Sequence, residues 1–286
     1  MSRNARVATL ALASFALSYG VSWVRRPSPD ELSPADAQRL LEKSAQRVKK
    51  GGPNQLHMRR LYFAAPPFAQ AGQADLHVVR AAALLHDATK EDGKGEPKER
   101  FCTHGQEGGG WALEVLSELG KSDAFGRKVS AAIVEHMGPC GHNPAWGADR
   151  FMTKFCAREY PRPVSAEARV LYDLDMLDLM TVDGVVKVVE LRQKNPEFER
   201  EPLQDSALTG QDSAWKSVND ADQTLLTEAA KGCGRLLREH SKRFLDGVDW
   251  DQVKDVPAFK GAAQKFLEKE PLPGCLVSAP PGEDVD

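Results

Sequence analysis

The sequence lacks several patterns that would indicate other classes of protein. Apart from a doubtful stretch at residues 185–189, apolar and polar residues nowhere alternate as they would in a half-buried strand. The five cysteines include no CxxC pair, which argues against a cysteine zinc site. Lys and Arg number 38 against 41 Asp and Glu, so no overall basic excess exists for binding a nucleic-acid backbone. These absences favour an all-α protein with no clear nucleic-acid binding.

Two catalytic motifs are missing as well. The glycines Gly108, Gly109 and Gly110 form no GxxxxGK[ST] motif and follow no predicted strand, so a nucleotide-binding P-loop is rejected. No serine-nucleophile motif is visible in the sequence. We instead expect the three glycines to let the start of a helix pack closely beside a functional site.

Two features bear on the compartment in which the protein works. Residues 1–30 are predicted to be a signal peptide or membrane anchor, because Val7–Val24 is mostly apolar and is flanked by basic residues. This segment predicts an exported or membrane-attached protein. An organelle presequence or a mis-assigned start is the alternative, and the protein would otherwise be cytoplasmic. The cysteines are either all free thiols or include one disulfide, for which Cys140 with Cys156 is the first choice.

Helical periodicity runs through almost all of the remaining chain. Ser33 and Pro34 form a typical helix start, and Pro66-Pro67 is expected to break the second helix after Phe63. The third helix is apolar nearly all round and should be the most buried. Helices are predicted at about residues 34–48, 54–63, 75–87, 106–119, 123–136, 165–180, 183–194, 219–245 and 257–269.

The segments between these helices suggest how the chain is divided. Polar or Gly/Pro-rich loops are predicted at residues 91–104, 138–163 and 196–218. The predicted organisation is a core over residues 31–195, a helical extension packed on it over 196–270, and a loose tail over 271–286.

His86 and Asp87 are the sharpest chemical feature in the sequence. They end the apolar third helix, where an unpaired charged group would cost several kcal/mol, roughly, to desolvate. A bound cation would satisfy both side chains. The alternative is structural, with Asp87 paired to Lys90 and His86 capping the end of the helix.

The segment AALLHDATK resembles the ALLHDxGK motif of the HD-domain superfamily of metal-dependent phosphohydrolases, with Thr89 in place of the usual glycine. The family pattern is a His, then His-Asp, then a distant Asp. His57 in QLHMRRL and Asp175 in EARVLYDLDMLDLM match its first and last members. The resemblance covers about residues 54–185. It implies an all-α HD-domain helical bundle, here with additional C-terminal helices, whose metal ligands are His57, His86, Asp87 and Asp175.

Other histidines either extend this pattern or fall outside it. The resemblance assigns His104 and His136 to a second metal or to gripping the substrate, although each alone is more often a surface or helix-end histidine. His142 departs from the adjacent His-His pair of two-metal relatives and is a weak candidate. His77 and His240 are interpreted as structural histidines.

The resemblance also implies a reaction. Imidazole and carboxylate ligands suit one or two ions of Mn, Fe, Co, Zn, Ni or Mg. Such a metal would generate hydroxide for cleavage of a small-molecule phosphate ester, which could be a nucleotide. Asp87 would bridge two metals, and Lys90 would contact the substrate phosphate or be a plain helix-end lysine. Asp178 would either orient the site or pair with Arg169. The alternatives are a di-iron oxygenase of the same fold and a non-catalytic ligand-binding HD domain.

Overall fold

In a computed structural model of the protein, the residues described are 28–48, 53–90, 97–137, 163–194, 203–204, 207 and 225–276. All regular structure in these residues is helical, which confirms the predicted all-α class. Residues 185–189, the doubtful strand, lie within a helix. The helices are α1 (Pro34–Ala45), α2 (Pro53–Gly72), α3 (Leu76–Leu85), α4 (Pro97–Glu118), α5 (Asp123–Glu135), α6 (Ala166–Leu179), α7 (Val182–Lys194), α8 (Glu228–Asp246) and α9 (Val256–Lys269).

Helices α3 and α6 form the centre of the bundle. Helix α3 contacts α1, α2, α4, α5 and α6, and it buries seven of its ten residues. Helix α6 contacts α2, α3 and α5 on one side and α7 and α8 on the other. Their N-terminal backbone groups are capped by Asp75 and Ser165, whose side chains accept from backbone N–H groups of the first turn. The sequence of α3 is apolar nearly all round because the helix is surrounded by five others, in agreement with the prediction that it is strongly buried.

The predicted break at Pro66-Pro67 is wrong, because α2 continues through both prolines to Gly72. Proline removes two backbone donors and is normally unfavourable inside a helix. Here Pro67 is exposed, whereas Phe68 and Ala69 in the next turn are buried in the core. We infer that burial of these two side chains offsets the lost hydrogen bonds.

The predicted loop at residues 91–104 is shorter than expected, because α4 begins at Pro97. Proline is favoured in the first turn of a helix, where its missing N–H has no intrahelical partner. His104 therefore lies on a helix, two turns from its start, and is not on a loop. The position of this histidine is fixed by the packing of α4 on α5 and α3.

The C-terminal helices pack on the rest of the bundle. Helix α8 contacts α2, α6 and α7, and α9 contacts α7. The carboxylate of Asp173 on α6 accepts from the backbone N–H groups of Leu226 and Thr227 at 2.7 and 2.9 Å, directly before α8. A disulfide joins Cys233 to Cys275. It overturns the interpretation of five free thiols. The domain boundaries at residues 195, 196 and 270 stay a prediction.

Several predictions fall outside the described residues. They concern the targeting or anchoring segment 7–24, nearly all of the loop at 138–163, His142, and the proposed pair Cys140 and Cys156. In the described parts of the chain, no helix combines the length and the apolar character needed to cross a bilayer.

Candidate metal centre

Six predicted site residues meet in the interior of the bundle. Their nitrogen and oxygen atoms form three overlapping groups, and within each group the atoms lie within 4.8 Å of one another. The groups are His57 with His86 and Asp87, His86 with His136 and Asp175, and Asp87 with His104 and His136. Five separate elements therefore bring their side chains to one place, although His57 and Asp175 are 118 positions apart along the chain.

His86 and His136 are positioned by the same kind of hydrogen bond at the end of a helix. Each stands at the C-cap of its helix, α3 or α5. The ring Nδ1 of His86 donates to the carbonyl of Ala83 at 3.0 Å, and Nδ1 of His136 donates to the carbonyl of Ile133. The last carbonyls of a helix lack intrahelical donors, so these bonds satisfy them and fix both rings. In both rings Nε2 is then the atom left for a ligand.

His57 is oriented by a buried carboxylate. Its Nδ1 lies 2.6 Å from Oδ2 of Asp178, and Arg60 donates to both oxygens of the same carboxylate, at 2.5 and 2.8 Å. Both members of this ion pair are largely buried, and Asp178 is fully so. Burial opposes ionisation of Asp178, but Arg60 and His57 outweigh it and hold the pKa of that carboxyl well below its ordinary value. The side chain of Asp178 therefore orients the site, and its partner is Arg60, not Arg169.

Asp87 lies where two of the ligand groups overlap. Its Oδ1 is 3.6 Å from Nε2 of His86 and 3.4 Å from Nε2 of His104, and its Oδ2 is 3.9 Å from Nε2 of His57. Lys90 contacts both oxygens, at 3.1 and 2.9 Å. Burial raises the pKa of Asp87, but the charges of Lys90 and the imidazoles outweigh it, so that the pKa lies well below its ordinary value. Asp87 is thus an ionised, fully buried carboxylate shared by two groups.

A close helix contact brings His104 to Asp87. A Cβ on Gly108 would lie only 3.1 Å from the carbonyl oxygen of His86, so α4 approaches the end of α3 at a distance that favours glycine. Thr89, which stands where the HD motif usually has glycine, donates its hydroxyl to the carbonyl of His104 at 3.0 Å. The close packing expected of the glycines therefore occurs beside the cluster.

The donor set fits a cation. Since Nδ1 of His57 and Nδ1 of His86 are both occupied by acceptors, their Nε2 atoms in the neutral rings carry lone pairs, and these two atoms are 3.3 Å apart. Oδ1 of Asp175, another acceptor, is 3.1 Å from Nε2 of His57. Acceptors that face each other inside a protein are unfavourable without a positive charge between them. The buried Nε2 of His136 has no hydrogen-bond partner among the described residues, as expected of an atom that coordinates a metal when one is bound.

The protonation of the histidines agrees with this fit. Burial lowers the pKa of His86 to about 4 and also lowers the pKa of His136, so both rings are neutral and ready to bind a metal. Burial and the charge of Lys187 oppose protonation of His57, but Asp178 and Asp175 outweigh them and raise the pKa of that ring. Without a metal, a proton on His57 would supply positive charge where the acceptors meet.

His77 and His240, the other histidines in the described residues, take no part in the cluster. Nδ1 of His77 accepts from the backbone N–H of Leu32 at 3.1 Å, which ties the segment before α1 to α3. His240 is buried on α8, where its Nε2 lies 2.9 Å from the carbonyl of Glu270 and its ring contacts Phe266. Both agree with the structural interpretation made from the sequence.

Two basic residues near the cluster were missed in the sequence. Arg60 follows His57 by three residues, so the i, i+3 spacing on a helix was the available signal. Lys187 on α7 is close enough for its charge to affect His57, and it interacts electrostatically with Lys90, Asp87, Asp175 and Asp178. It follows Asp175 by twelve residues and belongs to the next helix, so sequence spacing gave no signal for it.

The fold and the cluster define an all-helical protein with a buried His/Asp site able to hold a divalent metal. Residues 54–180 match the family model of the HD domain. The match contains all six clustered residues and confirms the resemblance drawn from the sequence. No curated protein and no solved structure matches the chain.

Proposed function

We propose that this protein is a metal-dependent phosphohydrolase that cleaves a small-molecule phosphate ester. The observation that carries the proposal is the buried cluster in which Asp87 is shared by two groups of potential ligands, His57 with His86 and His104 with His136. The imidazole and carboxylate ligands suit a divalent metal. The matching HD-domain family consists mostly of metal-dependent hydrolases, which favours a hydrolytic site over a purely structural one.

The overall reaction is a transfer of a phosphoryl group to water. The oxygen of water forms a bond to phosphorus, the bond from phosphorus to the ester oxygen breaks, and the leaving alcohol takes up the proton that water loses. A bound divalent metal would act as a Lewis acid toward the phosphoryl oxygens and lower the pKa of a water ligand.

The residues of the chain have separate roles in this proposal. His57, His86, Asp87 and Asp175 would hold one ion, and His104 and His136 would complete a second site with Asp87. Asp178 and Arg60 keep the ring of His57 in place. Lys90 keeps Asp87 ionised, and its side chain is 23% exposed, so it can also meet a substrate phosphate beside the metal.

The test is a metal assay joined to a hydrolysis assay on the full chain. Phosphate release would be measured for a panel of phosphomonoesters and phosphodiesters, with Mn, Co, Fe, Mg or Zn supplied. We expect turnover that EDTA abolishes and that Asp87→Ala reduces to background. Asp123→Ala, an exposed carboxylate in the first turn of α5, is the matched control and should behave as wild type.

Three outcomes would overturn the proposal. An EDTA-insensitive activity would contradict a metal-dependent reaction. If no ester is turned over faster than by Asp87→Ala while the iron-loaded protein consumes oxygen, the di-iron oxygenase takes its place. If neither activity is found, the chain is a non-catalytic ligand-binding domain.

A further inference from the structure

Lys187 lies close to the candidate metal site and has no hydrogen-bond or ion-pair partner among the described residues. It lies on α7, beyond the residues that match the HD-domain model. Within the described parts of the chain it makes no hydrogen bond and no ion pair, whereas Lys90 is bound to Asp87 and Arg60 to Asp178. It is only partly exposed to solvent. A half-buried ammonium group without a hydrogen-bond acceptor is unfavourable, and a bound anion would supply that acceptor.

The backbone fixes Lys187 close to the cluster. The hydroxyl of Thr181 donates to the carbonyl of Asp178 at 2.7 Å and accepts from the N–H of Gly184 at 3.0 Å, which joins the start of α7 to the end of α6. A Cβ on Gly184 would overlap the carbonyl oxygens of Asp178 and Leu179, so the two helices touch there through their backbones. Lys187 follows Gly184 by one turn, about 5 Å along the helix.

The electrostatics agree with this placement. Asp183, one turn before Lys187 on the same face of α7, interacts with Arg60 and Asp178 at the back of the cluster. Lys187 itself interacts with Lys90 and with Asp87, Asp178 and Asp175. Burial and the nearby charge of Lys90 lower the pKa of Lys187. The two lysines therefore lie near one another and near the carboxylates of the candidate site, one on α7 and one after the end of α3.

The charges around the site favour a doubly charged anion. The ion pair of Asp178 with Arg60 is neutral by itself, and the negative charges of Asp87 and Asp175 are balanced by Lys90 and Lys187. A divalent metal held by Asp87 and Asp175 then leaves these groups with a net positive charge, and the second ion of the proposed site would add to it. A phosphomonoester carries nearly two negative charges near neutral pH, because its second pKa is about 6, whereas a phosphodiester carries one.

We propose that Lys187 binds a non-bridging oxygen of the substrate phosphate and makes the site prefer phosphomonoester dianions over phosphodiesters. The inference deepens the proposed function and rests on it. Lys187 would act together with Lys90, so that a phosphate bound at the metal meets one ammonium on each side. A diester, with one charge fewer and an additional ester group, would lose the contact with Lys187.

The experiment compares Lys187→Met and Lys187→Arg with the wild-type full chain. Lys128→Met, which removes an exposed lysine of α5, is the matched control. One readout needs no turnover: the affinity of the metal-loaded protein for inorganic phosphate by calorimetry. The other is kcat/KM for an aryl phosphomonoester and for the corresponding aryl phosphodiester. Metal content and thermal unfolding are measured for every variant.

We expect Lys187→Met to weaken phosphate binding about ten- to hundredfold, the effect of one charge-assisted hydrogen bond. Turnover of the monoester should fall by a similar factor, and turnover of the diester by much less. Lys187→Arg should retain most of the affinity, and Lys128→Met all of it. Metal content should not change. Since Lys187→Met removes an unpartnered, half-buried charge, we expect it to fold; Lys187→Gln replaces it if it does not.

Three results would overturn the inference. They are wild-type protein that does not bind phosphate, phosphate affinity unchanged by Lys187→Met, and equal losses for the two esters. Failure of the proposed function looks different, because wild-type protein would then hydrolyse neither ester. The phosphate titration decides the role of Lys187 in that case as well.

Discussion

At the scale of single residues, His136 is the most informative member of the cluster. Its Nδ1 is bound to the carbonyl of Ile133, and its buried Nε2 has no hydrogen-bond partner among the described residues. A buried polar atom left in this state costs about 1–3 kcal/mol, and a bound metal would remove the cost. Since Nδ1 of His240, outside the cluster, is also buried with no hydrogen-bond partner among the described residues, the metal site rests on the position of Nε2 of His136 among the other ligand atoms.

We predict that His136→Gln weakens the affinity for a divalent metal by more than about tenfold, the loss produced even by removing an outer partner of a ligand. His240→Gln is the matched control, because His240 is equally buried but bonded to the carbonyl of Glu270. It should lower thermal stability and leave metal affinity unchanged. The measurement is a competition titration against a metal-binding dye. Equal metal affinity in wild type and His136→Gln would remove His136 from the site.

The sequence and the structure agree on His57, His86, Asp87 and Asp175 because the pattern that carries them is chemically specific, although its members lie far apart along the chain. Arg60 and Lys187 were not predicted, and the reason is physical. A lysine or arginine on a helix is normally solvated, and only the packing of α6 on α2 and α7 shows which basic residues face the carboxylates. Charge neutralisation inside a site is a property of the assembled fold.

At the scale of helices, the three consecutive glycines of α4 have different surroundings. A Cβ on Gly109 would lie 2.6 Å from Cγ2 of Val134 and 3.0 Å from the carbonyl oxygen of Ser130 on α5. A Cβ on Gly110 would meet nothing within 4 Å. Alanine at position 109 therefore tests the close packing of α4 on α5, whereas alanine at position 110 tests only the intrinsic preference of the helix for alanine over glycine.

We predict that Gly109→Ala lowers the free energy of unfolding by about 1–3 kcal/mol, because α4 must move away from α5. It should also weaken metal binding, since α4 carries His104. Gly110→Ala should raise the free energy of unfolding by up to about 1 kcal/mol. Urea unfolding of both variants, with metal titration alongside, is the measurement. If the two alanine variants were equally stable, the close contact of α4 with α5 would be wrong.

Helix α1 contributes a pH-dependent part of the stability. Asp36 and Ser33 form a capping box, and Oδ2 of Asp36 also accepts from Nζ of Lys121 at 2.8 Å. Burial raises the pKa of Asp36, but the bonds from Lys121 and Ser33 outweigh it, so the pKa is lowered from its ordinary value of 3.8. A carboxyl with a lowered pKa in the folded state stabilises above its unfolded pKa, and the contribution is lost as the pH falls.

We therefore expect Asp36→Asn to lower the free energy of unfolding by about 1 kcal/mol near neutral pH. The difference from wild type should shrink as the pH falls below 3.8 and the wild-type carboxyl becomes protonated. Asp123→Asn is the control, because Asp123 is in the first turn of α5 with only an exposed ion pair 3.8 Å long. Chemical unfolding at several pH values measures both. A difference that persists unchanged into acid would contradict the role of the charge.

The comparison of predicted and observed helices shows which forces sequence patterns capture. Apolar periodicity and capping residues predicted α1, α3, α5 and α6 closely, because each buries a well-defined face. Local composition misled the prediction twice: Pro66-Pro67 predicts a break in α2, and the polar, Gly-rich residues 91–104 predict a loop although α4 begins at Pro97. In both places, tertiary packing decided the length of the helix, and local preference did not.

At the scale of the whole molecule, the disulfide between Cys233 and Cys275 closes the C-terminal helices into a loop. It joins α8 to the segment after α9 across 42 residues of chain, with the two Cα atoms 5.7 Å apart. Cys233 is buried, and α8 packs on α6, which carries Asp175. The sequence could not select this pair, because five cysteines with no local motif allow many pairings.

We predict that reduction of the disulfide lowers the free energy of unfolding by about 4 kcal/mol, the value that the chain-entropy model gives for a loop of this length. Cys275→Ser should have the same effect, and a reducing agent should then change its stability no further, which makes this variant its own control. Metal affinity should stay close to that of wild type, since the disulfide constrains α8 and α9, and neither helix carries a residue of the cluster. Thiol titration of the denatured, unreduced protein is the direct check. Three reactive thiols are expected from the five cysteines if no second disulfide forms, and five would show that Cys233 and Cys275 are not joined.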